Sequence, residues 1–351
     1  MCVLLAIALA FPASAQTIAA RTQAVTDTIN NNKDLGEICA MDFYWEIGDR
    51  DAQRASGQKG TSFKATTDMQ IYSAGKWLYS AYVFQKRGGQ LTAADKDALR
   101  MQSGYNQSNA CLGTATLAQC QNLMNTYTSS ADINNQYYYA GGHFQKHATA
   151  VLGMGSKTKP QMVAEMQGTA ASPLLNTPDG ADTNVVFTLA TPVMASGHKT
   201  TATNYAVFLR KMLSGTLLLS GSALGSDGVC TYPAPSNAQT GRMNCPGAIY
   251  SPAAPIQPGV YEVDGGTNEA WSYSIGHWVE TDPVWLAGGG DAAYSSAGAA
   301  GFYPWIDSSR TYYGILARNI LTTTSAGESV KCGRQIRKAW LTGIAAPSGV
   351  Q

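Results

Sequence analysis

QIYSAGKWLYSAYVF, Gln70 to Phe84, is the stretch on which the reading of this chain turns. Ser73 and Lys76 stand three apart at its start. Trp77, Leu78, Ala81, Tyr82 and Phe84 then supply the apolar contacts of a helix that begins near Ser73 and stops at Gly88-Gly89. Residues i and i+3 of a helix share a face, so a hydroxyl and an amine at this spacing can meet. Alone the pair is a weak signal, because a helix-capping Ser beside a solvated Lys explains it without any chemistry. Context adds weight: apolar neighbours surround both residues, and a helix N-terminus favours negative charge developing at Ser73.

Upstream, CAMDFYWEIG (39–48) reads as a strand, and a polar turn from Asp49 to Ser56 leads to a second strand ending near Phe63. Downstream, the chain from Leu91 to about Met166 is helical and loop-rich, including LTAADKDALRMQ with Thr92 as a cap and Asp95 at the third position. TATNYAVFLRKMLS (201–214) repeats apolar residues on one helical face and ends at Gly215. Residues 222–268, rich in Gly, Pro, Ser and Asn, read as a long loop pinned by one Cys pair. WSYSIGHWVE, GFYPWID and TYYGILARNIL carry the aromatic and β-branched residues of a sheet, and an amphipathic helix over roughly Glu328–Leu341 closes the chain. The expected fold is α+β: an antiparallel sheet assembled from both chain ends and flanked by helices, with an inserted, mostly helical domain. The sheet subdomain is read at about 16–72 and 200–351, the helical one at about 73–199.

At 351 residues, 44% hydrophobic and 13% charged, the chain can bury a large core behind a neutral, polar surface. A formal net charge of +1 leaves no basic field for nucleic acid. MCVLLAIALAFPASAQ ends in Ala13-Ser14-Ala15, the small-x-small pattern of a signal-peptidase site. Residues 1–15 are therefore read as a signal peptide, with a buried N-terminal helix as the alternative and no membrane association after its removal. Six cysteines follow, an even number that suits a periplasmic or secreted protein. Fifteen pairings are formally open. The short spans favour Cys111 with Cys120 and Cys230 with Cys245, leaving Cys39 with Cys332. No CxxC pair occurs, and His143 and His147 lack the glutamate of HExxH, so neither metal nor cofactor is expected.

Two further stretches could carry chemistry. In QYYYAGGHFQKHA (136–148) three tyrosines precede a small-residue turn; in YSSAGAAGFYPWID (294–307) small residues lead into an aromatic strand, where a ligand could approach the backbone closely. His198-Lys199-Thr200 lies before an amphipathic helix and is not read as a strand. No G-x-S-x-G elbow occurs, and GMGSKT (153–158) lacks phosphate-loop spacing.

With SAGK at 73–76, YAG at 139–141 and SAG at 296–298, the chain resembles the serine β-lactamase and penicillin-binding superfamily, in its class C-like, esterase and amide-oligomer hydrolase branch. The resemblance runs from about residue 40 to 325, helped by TATNYAVFLRKML, YSIGHWVE and GFYPWID, within a hydrolase domain spanning 16–351. It implies an acyl-enzyme on Ser73, with Lys76 and Tyr139 moving protons and the N–H groups of Ser73 and Ala299 holding the oxyanion. It also implies substrate contacts at Gly141, Ser296, Gly298 and Tyr138. Tyr137, Tyr138, Trp77 and Trp305 are candidates for an apolar acyl wall, with core packing the plainer role for the two tryptophans. Gly141 stands where the family has Asn, and Ser296 where it has Lys or His, which argues against penicillin turnover. The expected substrate is a small or oligomeric ester or unactivated amide. A D-amino-acid peptidase of penicillin-binding type and a catalytically silent binding protein are the alternatives.

Overall fold

The computed structural model describes residues 16–123, 134–180, 184–232, 245, 247–253, 269, 271–281 and 291–349. The signal segment read at 1–15, and much of the loop read at 222–268, lie outside the described residues. In chain order come α1 (Ile18–Asn31), β1 (Phe43–Asp49), β2 (Gln53–Lys59), β3 (Met69–Gln70), α2 (Gly75–Lys86), α3 (Ala93–Leu99), α4 (Leu117–Leu123), β4 (Tyr137–Tyr138), α5 (Gly142–Lys146) and α6 (Lys159–Gln167). Then follow β5 (Thr188–Leu189), β6 (His198–Thr200), α7 (Ala202–Ser214), β7 (Val229–Cys230), β8 (Ala248–Tyr250), β9 (Ser272–Tyr273), β10 (Trp278–Val279), β11 (Tyr294–Ser295), β12 (Tyr303–Ile306), β13 (Tyr312–Ala317) and α8 (Ser325–Thr342).

The main sheet runs β2-β1-β13-β12-β11-β10-β9-β7, every pair antiparallel. Burial explains the order at its N-terminal edge. β1 is buried along nearly its whole length, as a strand covered on both faces must be, whereas β2 is largely exposed and polar, as suits an edge. β13 joins the chain ends by pairing Tyr44 with Ala317 through Asp49 with Tyr312. Successive strand residues point to opposite faces. Tyr312 meets Trp340 of α8 edge-on at 5.6 Å, while the Tyr313 hydroxyl meets Arg210 of α7 at 3.3 Å. α8 and α7 therefore cover opposite faces of the sheet.

α2 is buried from Gly75 to Phe84, an apolar helix enclosed on all sides. α3 starts on the expected Thr92–Asp95 capping box, and α7 buries Tyr205, Phe208, Leu209 and Met212 before ending at Gly215 in the left-handed conformation. No helix among the described residues is long and apolar enough to cross a membrane.

Some expectations need correction. WSYSIGHWVE is two strands, β9 and β10, reversed at Gly276 with φ +69°, where a left-handed turn breaks the run of β-formers. His198–Thr200 does form a strand, β6, held between β3 and β5 in a separate three-stranded sheet. Ser73 lies in a 3₁₀ turn, Tyr72–Ala74, and the α-helix starts only at Gly75. α1, which packs on α8, was not legible.

The disulfides Cys39–Cys332, Cys111–Cys120 and Cys230–Cys245 are all formed. Cys39–Cys332 spans 293 residues and links the segment before β1 to α8. Replacing both cysteines by Ala is expected to lower the unfolding free energy by about 2–4 kcal/mol. Urea titration checks this, and a loss below about 0.5 kcal/mol, the usual size of a surface change, would exclude a stabilising link.

Candidate active site

The backbone before Ser73 is tied down on several sides. Met69 and Gln70 pair with Thr200 and Lys199, and the Ile71 N–H donates to the His198 carbonyl at 2.9 Å. Tyr72 then takes φ +45°, a left-handed conformation costly for a bulky residue and typical of strain kept at a functional turn. Beyond it, the Ser296 hydroxyl donates to the Ser73 carbonyl at 3.0 Å, and the Tyr205 hydroxyl to that of Ala74 at 2.9 Å. A Cβ at Gly298 would lie 2.2 Å from the Ile71 carbonyl oxygen, so only glycine lets the loop after β11 close on this turn. α2 and the end of β11 thus hold Ser73 between them.

One turn on, Lys76 reaches back, its Nζ 2.9 Å from Ser73 Oγ and 3.1 Å from the Ala195 carbonyl. Lys76 is buried at 3% exposure and forms no ion pair with a carboxylate among the described residues. Burial, with no counter-charge, brings its amine down from 10.5 to about 7. The amine also lies 4.8 Å from the centre of the Tyr139 ring, a cation–π placement that favours its protonated form after it has accepted a proton.

Tyr139 follows β4, its N–H bonded to the Tyr250 carbonyl at 3.0 Å and its ring stacked on Trp278 at 5.3 Å. Burial pushes its phenol well above 10, against a hydrogen bond with Ser73 that pulls the other way. Tyr139 therefore stays protonated and can donate or relay a proton, while Lys76 is the group able to accept one.

A cleft of about 180 Å³ opens over these residues, lined by Tyr72, Ser73, Lys76, Ser108, Tyr139, Gly141 and Ala299 among others. Apart from Lys76 its lining carries no formal charge. Ser73 and Ala299, whose N–H groups are the expected oxyanion donors, both line this cleft.

The remaining expected contacts fall elsewhere. Ser296 is buried and its hydroxyl is spent on Ser73; Gly298 backs onto Ile71; Tyr138 lies beside Tyr250 at 5.3 Å. None of these three lines the cleft. Trp77 and Trp305 are fully buried in the core, the plainer of the two roles read for them, and Tyr137 is buried as well, so the acyl wall is corrected at that tyrosine.

Other functional neighbours went unread. Ser108, Asn109, Val193, Ala195 and Ser196 reach the cleft from loops that carry no periodic or spacing signal. His143 donates from Nε2 to the Tyr138 carbonyl at 2.9 Å and accepts from Ser103 at 2.7 Å, and burial lowers it to about 4, so the neutral ring steadies the peptide next to Tyr139. His147 bonds Asp95 at 2.8 Å and Tyr79 at 2.7 Å, which commits both nitrogens to the packing of α2 and α3. No group of three His, Cys, Asp or Glu side chains among the described residues could hold a metal.

No family model matches the chain, and no curated protein matches it by sequence. Its fold matches solved structures. A D-amino acid amidase from Ochrobactrum anthropi SV3 superposes with a TM-score of 0.57 at 10% identity, over 90% of this chain and 100% of that one. A D-stereospecific amidohydrolase from Streptomyces sp. gives 0.55 at 11% identity, covering 94% and 100%. EstCE1, a hydrolase with promiscuous acyltransferase activity, gives 0.51 at 15% identity, covering 92% and 98%. At these identities the likeness establishes the fold, that of the β-lactamase and penicillin-binding proteins.

Proposed function

We propose that this chain, which carries the β-lactamase and penicillin-binding fold, is a secreted serine hydrolase that cleaves uncharged esters or unactivated amides through an acyl-enzyme on Ser73. One observation carries the reading: a buried amine, without a carboxylate partner among the described residues, 2.9 Å from a serine hydroxyl on a strained turn. Lys76 takes the Ser73 proton as Oγ attacks the carbonyl carbon, and the N–H groups of Ser73 and Ala299 receive the oxyanion. Tyr139 gives its phenolic proton to the leaving oxygen or nitrogen and recovers one from the Lys76 ammonium. The departing alcohol or amine leaves an acyl-Ser73 ester. Water then attacks that ester, its proton passing to Lys76 and from there to Ser73 Oγ as the acyl–oxygen bond breaks and the acid departs. The three disulfides and the 1–15 segment support the secreted setting.

Amides enter the proposal because two fold neighbours are named as amide-cleaving enzymes acting on D-configured substrates. A carboxylate-bearing substrate is disfavoured. The uncharged Ser296 stands where the family has a cation, and its hydroxyl is already bonded within the protein. Intact-mass analysis after exposure to a fluorophosphonate tests the reading: the wild type is expected to gain one adduct on Ser73, and Ser73→Ala none. Short-chain 4-nitrophenyl esters are expected to turn over, and benzylpenicillin negligibly. An unlabelled, folded wild type would favour the silent binding protein; penicillin turnover rivalling the esters would favour the penicillin-binding alternative.

A further inference from the structure

Lys76 Nζ meets two oxygens, Ser73 Oγ and the Ala195 carbonyl. The first is consumed by the reaction, because Oγ becomes the acyl oxygen once its proton has moved. The Ala195 carbonyl is then the acceptor that remains with the ammonium, and its placement is decided by the residues on either side of it. On the following residue, the Ser196 carbonyl accepts from Gln70 Nε2 at 3.0 Å. On the preceding one, the Met194 N–H donates to Gln145 Oε1 at 3.2 Å.

Gln145 holds more than this one peptide. Its Nε2 donates to the Pro192 carbonyl at 3.1 Å and to the Leu117 carbonyl at 3.0 Å, so one fully buried side chain ties α5 to the start of α4 and to both ends of residues 192–194. A carbonyl cannot donate and a backbone N–H cannot accept, so these partners fix the orientation of the amide. The chain then reverses sharply: the Gly197 N–H donates to the Val193 carbonyl at 2.7 Å, and a Cβ at Gly197 would stand 2.1 Å from the Thr191 carbonyl oxygen. The Ala195 carbonyl is carried on this clamped reversal. Gln145 itself stands six residues past Tyr139 and does not line the cleft.

Resting on the hydrolase reading above, we propose that Gln145 is a positioning residue for the base: by clamping residues 192–194 it holds the Ala195 carbonyl on Lys76 Nζ, and so sets the pH at which Ser73 is activated. A hydrogen bond from an ionised donor is roughly twice as strong as a neutral one, so this carbonyl favours the ammonium and opposes the effect of burial. Releasing it makes Lys76 a weaker base. The other titratable groups near enough to act on the Lys76 charge, among the described residues, are Tyr139 after β4, His143 on α5 and His198 on β6. Burial keeps the phenol protonated and both imidazoles neutral, bringing His143 down to about 4 and His198 to about 3. Of these four groups Lys76 alone changes charge between about pH 5 and 9.

The test is the pH dependence of kcat/KM for 4-nitrophenyl butyrate over that range, corrected for spontaneous hydrolysis, in wild type, Gln145→Met and Gln145→Asn. Met matches the length of Gln and removes the clamp; Asn keeps the amide with a reach shorter by one methylene. Gln145→Met is expected to move the rising limb down by about one pH unit, the scale of one hydrogen bond to a charged group, and to lower the plateau about tenfold. Gln145→Asn should shift the limb the same way by less. The Cys39→Ala, Cys332→Ala protein, destabilised through a link outside the cleft, should keep the wild-type limb. Lost rate with an unmoved limb in the Gln145 variants, or an equal shift in the disulfide-free protein, overturns the proposal. So does failure of both Gln145 variants to fold by circular dichroism, which would make Gln145 a folding residue alone. In each of these cases Ser73-dependent hydrolysis by wild type leaves the hydrolase reading standing. If wild type shows none, that reading falls and takes this proposal with it.

Discussion

Ser73→Ala is expected to abolish ester hydrolysis, and Lys76→Ala to lower kcat/KM by roughly 10³-fold or more, the scale on which losing a nucleophile or its activating base is felt. Both follow from the 2.9 Å contact and the buried setting of the amine. Neither should unfold the protein. Ser73 loses one hydroxyl on a turn held through its backbone, and Ala is a good helix former at position 76. The sign of the pH dependence is fixed as well. A base must be neutral to accept a proton, and burial brings Lys76 to about 7, so kcat/KM should rise with pH and level off above that value. A profile flat from pH 5 to 9, or a folded Ser73→Ala enzyme with wild-type rates, would remove Lys76 or Ser73 from the chemistry. Tyr139→Phe should also impair turnover, while Tyr138→Phe, outside the cleft, should do much less.

The second large effect lies behind the site. Glu280, just past β10 and 1% exposed, accepts from Ser295 and Tyr303 at 2.6 Å each, from Arg334 Nε at 2.7 Å and from Arg337 Nη2 at 2.8 Å. Both arginines belong to α8 and are themselves buried. Arg334 also holds Glu269, and Arg337 also holds Asp291. Glu280→Gln is expected to destabilise the protein by about 3–5 kcal/mol, because it strips a shared counter-charge from two guanidiniums that cannot reach water. Acid should act in the same direction. Burial alone would raise the Glu280 carboxyl, but the two guanidiniums and two hydroxyls outweigh it and hold the group down to about 2, from 4.5. Its contribution is therefore complete above the unfolded-state value near 4.5 and is lost as the pH falls through about 2. Urea unfolding of wild type and variant at pH 7 and pH 3 reads both effects; a variant within about 1 kcal/mol of wild type at pH 7 would show that the network does not tie α8 to the sheet.

How much of this could be read from the sequence depended on the kind of signal each part leaves. Regular elements with one buried face were legible: α7 from the spacing of Tyr205, Phe208, Leu209 and Met212, α3 from its capping box, β1 from a run of aromatic residues. α1 was missed because only Ala24, Val25, Thr28 and Ile29 of it are buried, too few to mark an apolar stripe amid so many Thr, Gln and Asn. The pair Ser73 and Lys76 was legible because helical geometry brings close spacing into contact. Ser108, Asn109 and Ala195 were not, since no local rule links loops 35 to 122 residues from the nucleophile to the cleft they share. Ser296 shows the limit of motif position: it stands where a substrate clamp was expected, yet its hydroxyl holds the backbone of the nucleophile.

The pairing of β1 with β13 also governs when this molecule can come into being. Residues 43–49 leave the ribosome some 260 residues ahead of 312–317, the only strand besides β2 that β1 pairs with among the described residues. A lone hairpin is marginal in water, so β1, with its buried Phe43, Trp45 and Ile47, lacks the neighbour that ties it into the sheet until residues 312–317 have been made. Closing so long a loop is slow, and an apolar strand edge waiting that long invites association with other chains. Growth of the nascent chain thus sets a clock on its folding, and a product cut short before Tyr312 lacks the strand that joins β1 to β12 and with it the means to join its two ends into one sheet.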